Sequence, residues 1–258
     1  MMKRALAVLS VLAVVLLTGC FEIEQSIDLK KDLSGTADFH LGVDLEPMVV
    51  VMAQFGKEME GKSGPLTADE LAKAKAEFKK SSTTKKSDPP SKEEISKSLP
   101  EGVTLLNYAM KDKEFGMASD FKFGFKKLSN LVGVKLPGKE GGDPTQKNII
   151  DSPFEGLEVS ESGDTLTIRS KPQNPAEVVK EEAADGPKLD AATEKLVRDA
   201  FGKMRVVYRI KAPFTVVSHN ATRREGDTLV WEYDMATFEK MAKEKKLDDS
   251  QLRVTYRR

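Results

Sequence analysis

The sequence predicts an α+β fold, antiparallel β-hairpins packed with several helices, preceded by a cleaved export signal. Segments of period-2 alternation gather at 21–43, 103–125, 157–168 and 205–256, broken by Gly- and Asp-containing turns. Helical periodicity marks 45–60 and 190–204 instead, with capping-box starts at Thr67 and Ser91. A charged pair followed by one short apolar run stands at the head of the chain.

That run is Ala5 to Leu17, behind Lys3 and Arg4 and ahead of Thr18, Gly19 and Cys20, the only cysteine. At about thirteen residues it is too short to cross a bilayer, which takes roughly twenty. The order of charged, apolar and small segments is that of a signal peptide covering residues 1–19, which leaves 20–258 as the body. Leu17-Thr18-Gly19-Cys20 resembles the lipobox of bacterial lipoproteins. The resemblance implies a diacylglycerol on the Cys20 thiol, cleavage between Gly19 and Cys20, and acylation of the new N-terminus, with fatty acyl chains such as palmitate. The membrane is then a partner through the lipid, because each buried methylene contributes about 0.8 kcal/mol and two chains hold a protein almost permanently. Cys20 has no partner for a disulfide, and acylation removes a thiol that an oxidising compartment would attack. Phe21 stands where an aspartate signals inner-membrane retention, so an outer-membrane position facing the periplasm is expected in a Gram-negative cell.

Basic and acidic residues balance at 41 each, which argues against a nucleic-acid partner. The elements follow in order. Phe21, Ile23, Gln25, Ile27 and Leu29 alternate with Glu22, Glu24, Ser26, Asp28 and Lys30 as a half-buried strand, and a second, Thr36 to Val43, follows the turn at 31–35. This hairpin begins at Cys20 itself, so little stalk separates lipid from fold. From Leu45 to Glu60 a helix is apolar on more than one face, with Pro47 suited to its first turn. Met48, Val51, Met52 and Phe55 are its candidate contacts for an apolar ligand, because flexible Met side chains adapt to irregular shapes. Plain core packing explains the same pattern.

Residues 61–100 hold nine lysines and six acids and read as a lysine-rich helical insertion on the surface, with helices from Thr67 and Ser91. Its Lys79, Lys80, Lys85 and Lys86 could meet anionic lipid or cell-wall polymer. Strands at Val103–Asp112 and Phe115–Phe125 follow, the second with Phe121, Phe123 and Phe125 on one face. Lys126 to Val134 is a short helix or turn and 135–153 a loop; 157–159 and 165–168 form a hairpin about Ser162-Gly163-Asp164. Gln173 to Lys188 is either a loop or a weak helix at Ala176–Ala184, and it precedes a helix capped by Asp190 with Leu196, Val197, Ala200, Phe201 and Met204 inward. Strands at Arg205–Lys211, Phe214–Thr222, Thr228–Tyr233 and Leu252–Tyr256 close the chain, with a helix from Asp234 to Lys246 before the last.

Catalytic spacing is absent. His40 and His219 lie in predicted strands, no metal-ligand spacing exists, and no cofactor is expected. Ser218 and His219 are strand neighbours and point to opposite faces. A hydrolase would need Asp38 or Asp120 to converge on His40 in the fold. Trp231 is a sheet-face anchor or, less simply, a stacking ring, and Arg223, Arg224, Arg257 and Arg258 could form a basic edge. The triplet Asn220-Ala221-Thr222 matches a glycosylation acceptor by chance.

The cysteine running into a hairpin, Pro213-Phe214-Thr215-Val216-Val217, Asn220, and Gly226-Asp227-Thr228-Leu229-Val230-Trp231-Glu232-Tyr233 together resemble the LppM-like group of bacterial lipoproteins. Pro-Phe replaces the commoner Pro-Gly, and 61–100 has no counterpart. The resemblance implies an α+β lipoprotein domain and carries no catalytic residues. The expected function is a non-enzymatic envelope lipoprotein that binds an envelope protein or a lipid, with a hydrolase or a cell-wall structural protein as alternatives.

Overall fold

The computed structural model describes residues 20–83, 89–136, 152–170, 195, 199, 202–244 and 250–258. The predicted signal with Gly19, the weak helix at 176–184 and the helical stripe of Leu196, Val197, Ala200 and Phe201 lie outside them, as does most of the loop at 135–153.

Strand alternation builds two sheets. The larger has seven strands, in spatial order β3 (Val103–Lys113), β4 (Gly116–Phe125), β2 (Gly35–Asp44), β1 (Cys20–Leu29), β7 (Arg205–Lys211), β10 (Thr228–Asp234) and β9 (Arg223–Glu225). The smaller runs β5 (Glu158–Ser162), β6 (Thr165–Arg169), β11 (Arg253–Arg257), β8 (Thr215–His219). The α+β expectation holds. Hairpins account for β1–β2, β3–β4, β5–β6 and β9–β10, while β2–β4, β7–β10, β6–β11 and β8–β11 are antiparallel pairs of distant strands; β1 and β7 alone run parallel among the described strands, with Glu22 opposite Arg205 and Asp28 opposite Lys211.

The apolar faces of both sheets meet in one core. Ile27 and Leu29 of β1, Phe39 and Leu41 of β2, and Tyr208 and Ile210 of β7 join Leu166, Ile168, Val254 and Tyr256 of the smaller sheet. Phe121, Phe123 and Phe125 are all buried, as their spacing predicts, and Phe123 meets Phe154 edge-on at 6.1 Å. Trp231 is fully buried, so it anchors the core. Its Nε1 donates to Asn220 Oδ1 at 2.8 Å; that oxygen also accepts the Arg253 amide at 2.9 Å, and Asn220 Nδ2 donates to the Gln251 carbonyl at 2.6 Å. Asn220 therefore pins the two sheets together where the chain crosses between them.

That crossing corrects the single strand expected over Phe214–Thr222. Thr215–His219 belongs to the smaller sheet, and after the turn at Asn220 the chain returns to the larger one as Arg223–Glu225. Thr222 holds the return, its hydroxyl donating to the Val230 carbonyl at 2.9 Å. Both Gly-Asp turns appear as hairpins, and Gly163 and Gly226 each sit at φ +59°, where a Cβ is disfavoured.

Helix α1 (Glu46–Met59) leaves β2 with Pro47 in its first turn and Asp44 accepting from the Glu46 amide at 3.0 Å. Both capping boxes form. Thr67 and Glu70 open α2 (Ala68–Thr83), and Ser91 and Glu94 open α3 (Lys92–Ser98). Asp234 caps α4 (Met235–Lys243) through the Thr237 amide at 2.8 Å, and Phe238 is buried as predicted.

The insertion at 61–100 is tied down more firmly than a surface excursion. Phe78 of α2 packs on Phe115 at 6.3 Å, with the Lys75 and Lys79 ammonium groups 5.8 and 5.3 Å from the same ring. Ile95 of α3 is completely buried in the main core. Each helix needs only one apolar residue to dock, too little to register against nine lysines.

Replacing Asn220 with alanine leaves the buried Trp231 indole N–H and the more exposed Arg253 amide without their acceptor and is expected to lower stability by about 1–3 kcal/mol in urea unfolding followed through Trp231 fluorescence. Ile95→Ala is expected to cost about 2–5 kcal/mol in the same assay. A loss under 1 kcal/mol at position 95, roughly what a surface change produces, would mean that α3 does not share the core.

Candidate functional site

Three places gather chemistry: a cavity between the sheets, a groove between α1 and α2, and the charged outward face of the larger sheet.

The cavity encloses about 250 Å³. It lies over the seam of β1 and β7, with Ile23, Ile27, Ile210, Phe39 and Leu252 as apolar wall. Gln25 is the polar exception in the inward row of β1, and its amide donates to the Pro153 carbonyl at 2.5 Å, holding the turn whose Phe154 is buried. Ser170 closes another side by accepting the Leu252 amide at 3.0 Å. Burial pushes the Tyr208 phenol well above its ordinary value, so it stays protonated and can donate. Its hydroxyl makes no hydrogen bond to another described residue. An apolar wall with a few polar groups is the usual composition of a small-molecule site, and this volume falls just below the common range of about 300–1,000 Å³.

The four residues expected to touch an apolar ligand divide. Met48, Val51 and Phe55 are buried in a cluster of their own, with Leu45, Met52, Phe78 and Met235 packed around it. Met52 alone of the four also lines the α1–α2 groove, a space of about 550 Å³ floored by Val49, Ala53, Leu66 and Phe78. Two apolar faces on α1 have two partners, the cluster with Met235 and helix α2. Lys57 bridges the groove, its Nζ 2.8 Å from Glu70 Oε2 and 2.9 Å from the Pro65 carbonyl. The Lys57 ammonium, with the Thr67 amide, lowers the Glu70 carboxyl to about 2.

On the outward face of the larger sheet, cross-strand pairs form a row of charges. Arg205 binds Glu22 at 3.0 Å, Glu232 through Nε at 2.8 Å, and Glu24; Arg209 reaches Glu24 at 3.0 Å. Arg223 joins Glu232 and, at 2.7 Å, Glu225. Arg205 and then Arg223 hold the Glu232 carboxyl below its usual range. Further along, His40 Nδ1 lies 2.6 Å from Asp120 Oδ1, while Asp38 pairs with Lys122 at 3.3 Å. Of the two acids that could converge on His40, the fold brings Asp120. Nε2 of His40 sits over Gly42, and no described hydroxyl or thiol is hydrogen-bonded to it. Ser218 and His219 do diverge: Ser218 is opposite Thr255 and His219 opposite Val254, and His219 Nδ1 accepts the Ala221 amide at 3.1 Å.

Cys20 is the first residue of β1. No helix among the described residues is long and apolar enough to cross a membrane, and no described cluster of His, Cys, Asp and Glu could hold a metal ion. Neither the cavity nor the Arg205 network was read from the sequence. The one available signal was Gln25 in an otherwise apolar row.

No protein-family model matches the sequence, and no curated protein matches it. Among solved structures the chain is similar to the folded domain of LppM from Mycobacterium tuberculosis, determined by NMR, at 10% identity over 93% of this chain and 91% of that chain, with a TM-score of 0.46. The likeness is one of general chain course and transfers no residue role.

The Glu70 carboxylate stabilises α2 fully above its ordinary value near 4.5, and this contribution disappears as pH falls from there through about 2. Hydrogen exchange is expected to show α2 losing protection across that window before the strands do. Glu70→Gln should remove the acid step while leaving the strands protected; an unchanged step would assign it to another carboxylate.

Proposed function

We propose that the protein is a lipid-anchored, non-enzymatic binding protein of the bacterial cell envelope, acylated on Cys20 and taking a small amphipathic ligand into the cavity between its sheets. The observation that carries this reading is the cavity's make-up: aliphatic side chains from β1 and β7 around the Tyr208 phenol and the Gln25 amide. The aliphatic wall suits an acyl or isoprenoid segment, and the phenol can donate to a carbonyl or carboxylate at its end. The anchor reading rests on the lipobox match and on a body whose first strand starts at Cys20. Phe21 favours the outer membrane, facing the periplasm, in a Gram-negative cell. No cofactor enters this function.

Metabolic labelling with an alkynyl palmitate is expected to mark the full-length protein and to fail in Cys20→Ser; a labelled serine variant would remove the anchor from Cys20. Native mass spectrometry of the full-length protein in detergent is expected to show a co-purifying small molecule. Ile210→Trp, which fills the cavity, should eliminate it, while Met52→Trp in the α1–α2 groove should leave it in place. A mass without ligand would refute the cavity reading, and loss only in the Met52 variant would move the site to the groove.

The His40–Asp120 pair supports one alternative, an envelope hydrolase using His40 as its base. Were that so, His40→Ala and Asp120→Asn would abolish a hydrolytic activity measurable on ester or amide substrates in the wild-type protein. The non-enzymatic reading expects neither variant to change turnover, because there is none to change.

A further inference from the structure

The outward face of the smaller sheet differs in kind from that of the larger. In an antiparallel sheet directly opposite residues share a face, so the register of β5, β6, β11 and β8 specifies what this surface presents. One row is Ser160, Thr167, Thr255 and Ser218, four hydroxyl residues in succession across four strands. Thr167 Oγ1 and Thr255 Oγ1 lie 3.4 Å apart, which confirms that the two side chains stand together. With strands about 4.8 Å apart, the row extends about 14 Å. On one side of it stand Glu158, Arg169 and Arg253, and on the other Ser162, Thr165, Arg257 and Thr215.

The arginines are the feature the fold does not account for. Arg169 and Arg253 are directly opposite each other, where like charges destabilise a sheet, and only Glu158, opposite Arg169 on its other side and not within ion-pair distance of it, offsets them. Both are exposed, and neither makes an ion pair with a described residue. Arg257 has only a loose contact, its Nε 3.9 Å from Asp164 with both side chains about two-thirds exposed, at 66% and 67%. On the larger sheet, by contrast, Arg205, Arg209 and Arg223 all have carboxylate partners. Three arginines around a lane of hydroxyls, with Glu158 the one acid in these rows, make an electropositive strip that can also hydrogen-bond along its length.

We propose that this face docks an anionic polysaccharide: an extended glycan chain bearing carboxylates, lying along the row of Ser160, Thr167, Thr255 and Ser218. Sugar hydroxyls exchange hydrogen bonds with the row, each side-chain hydroxyl serving as donor or acceptor. Carboxylates spaced along the chain meet Arg169 and Arg253 on one flank or Arg257 on the other. The rows contain no aromatic ring, since Tyr256 and Phe154 turn inward, so recognition proceeds by hydrogen bonds and charge without stacking. The face lies on the opposite side of the smaller sheet from the cavity, and the glycan site does not depend on what the cavity binds.

The test uses the full-length protein in detergent micelles with three probes: hyaluronate oligosaccharides, neutral dextran and poly-L-glutamate. Hyaluronate is expected to bind in a salt-dependent manner, dextran not at all, and polyglutamate at least tenfold more weakly. Arg169→Gln with Arg253→Gln should weaken hyaluronate about tenfold or more, because each loses a charge-assisted bond. The same pair should leave the melting temperature unchanged or raised, whereas arginines serving only the fold would lower it on removal. Thr167→Val with Thr255→Val preserves side-chain shape and should weaken hyaluronate about fivefold without affecting polyglutamate, since it deletes only neutral hydrogen bonds. Absence of hyaluronate binding, or binding unaffected by the arginine pair, overturns the proposal. Equal affinity for hyaluronate and polyglutamate, insensitive to the threonine pair, overturns the glycan assignment in favour of a simple polyanion.

Discussion

The parallel seam between β1 and β7 is the contact on which the rest of the molecule depends. It joins the start of the body to a strand near the end of the sequence; without it the larger sheet would fall into a four-stranded and a three-stranded piece. On one side Arg205 and Arg209 stitch the seam to Glu22 and Glu24. On the other, Ile23 and Ile27 meet Ile210 and Tyr208 and form the cavity wall. Two half-exposed arginines stabilise little as isolated surface pairs, yet shared among three carboxylates they fix the register of strands that no short turn connects. The position of the cavity and its polar atoms follows from that register.

Local signals in the sequence were legible because they are consequences of local geometry. The Phe121, Phe123, Phe125 stripe lies on one face, Thr67 and Ser91 open helices, and the two Gly-Asp turns bend where glycine permits φ +59°. Pairing between distant strands leaves no local trace, so neither the β1–β7 seam nor the transfer of the chain between sheets at Asn220 was read. Ile95 illustrates another limit: one isoleucine among lysines and glutamates suffices to dock a short helix, since burial of a single side chain is worth about 1.5–3 kcal/mol. The apolar pattern of α1 reflects two packed faces, and Met48, Val51 and Phe55 of its four candidate ligand contacts fill a cluster. His40 and Asp120 were each visible as candidates, and only the β2–β4 register shows that they meet.

The two sheets hide similar apolar faces and expose different ones. On the larger sheet carboxylates and cations neutralise each other side by side, and Val207 and Val230 of the same face are fully buried. On the smaller sheet, hydroxyls and the arginines Arg169 and Arg253 remain in contact with solvent. A partner able to form charge-assisted hydrogen bonds would displace little from the second face and much from the first.

Cys20 already belongs to β1, so the acyl anchor proposed there would attach directly to the sheet. The ends of β2, β7 and β10 nearest that residue, the β3–β4 turn and the start of α1 all lie at the same end of the larger sheet. The turns at 30–34 and 226–227 lie at the other end, one strand length or about 33 Å away. A flexible leader would let the body wander and sample a volume that grows with leader length, diluting it with respect to anything near the bilayer. The acyl anchor proposed for Cys20 would turn the sheet into a ruler instead: distance from the bilayer would become a property of each residue, set by its place along a strand.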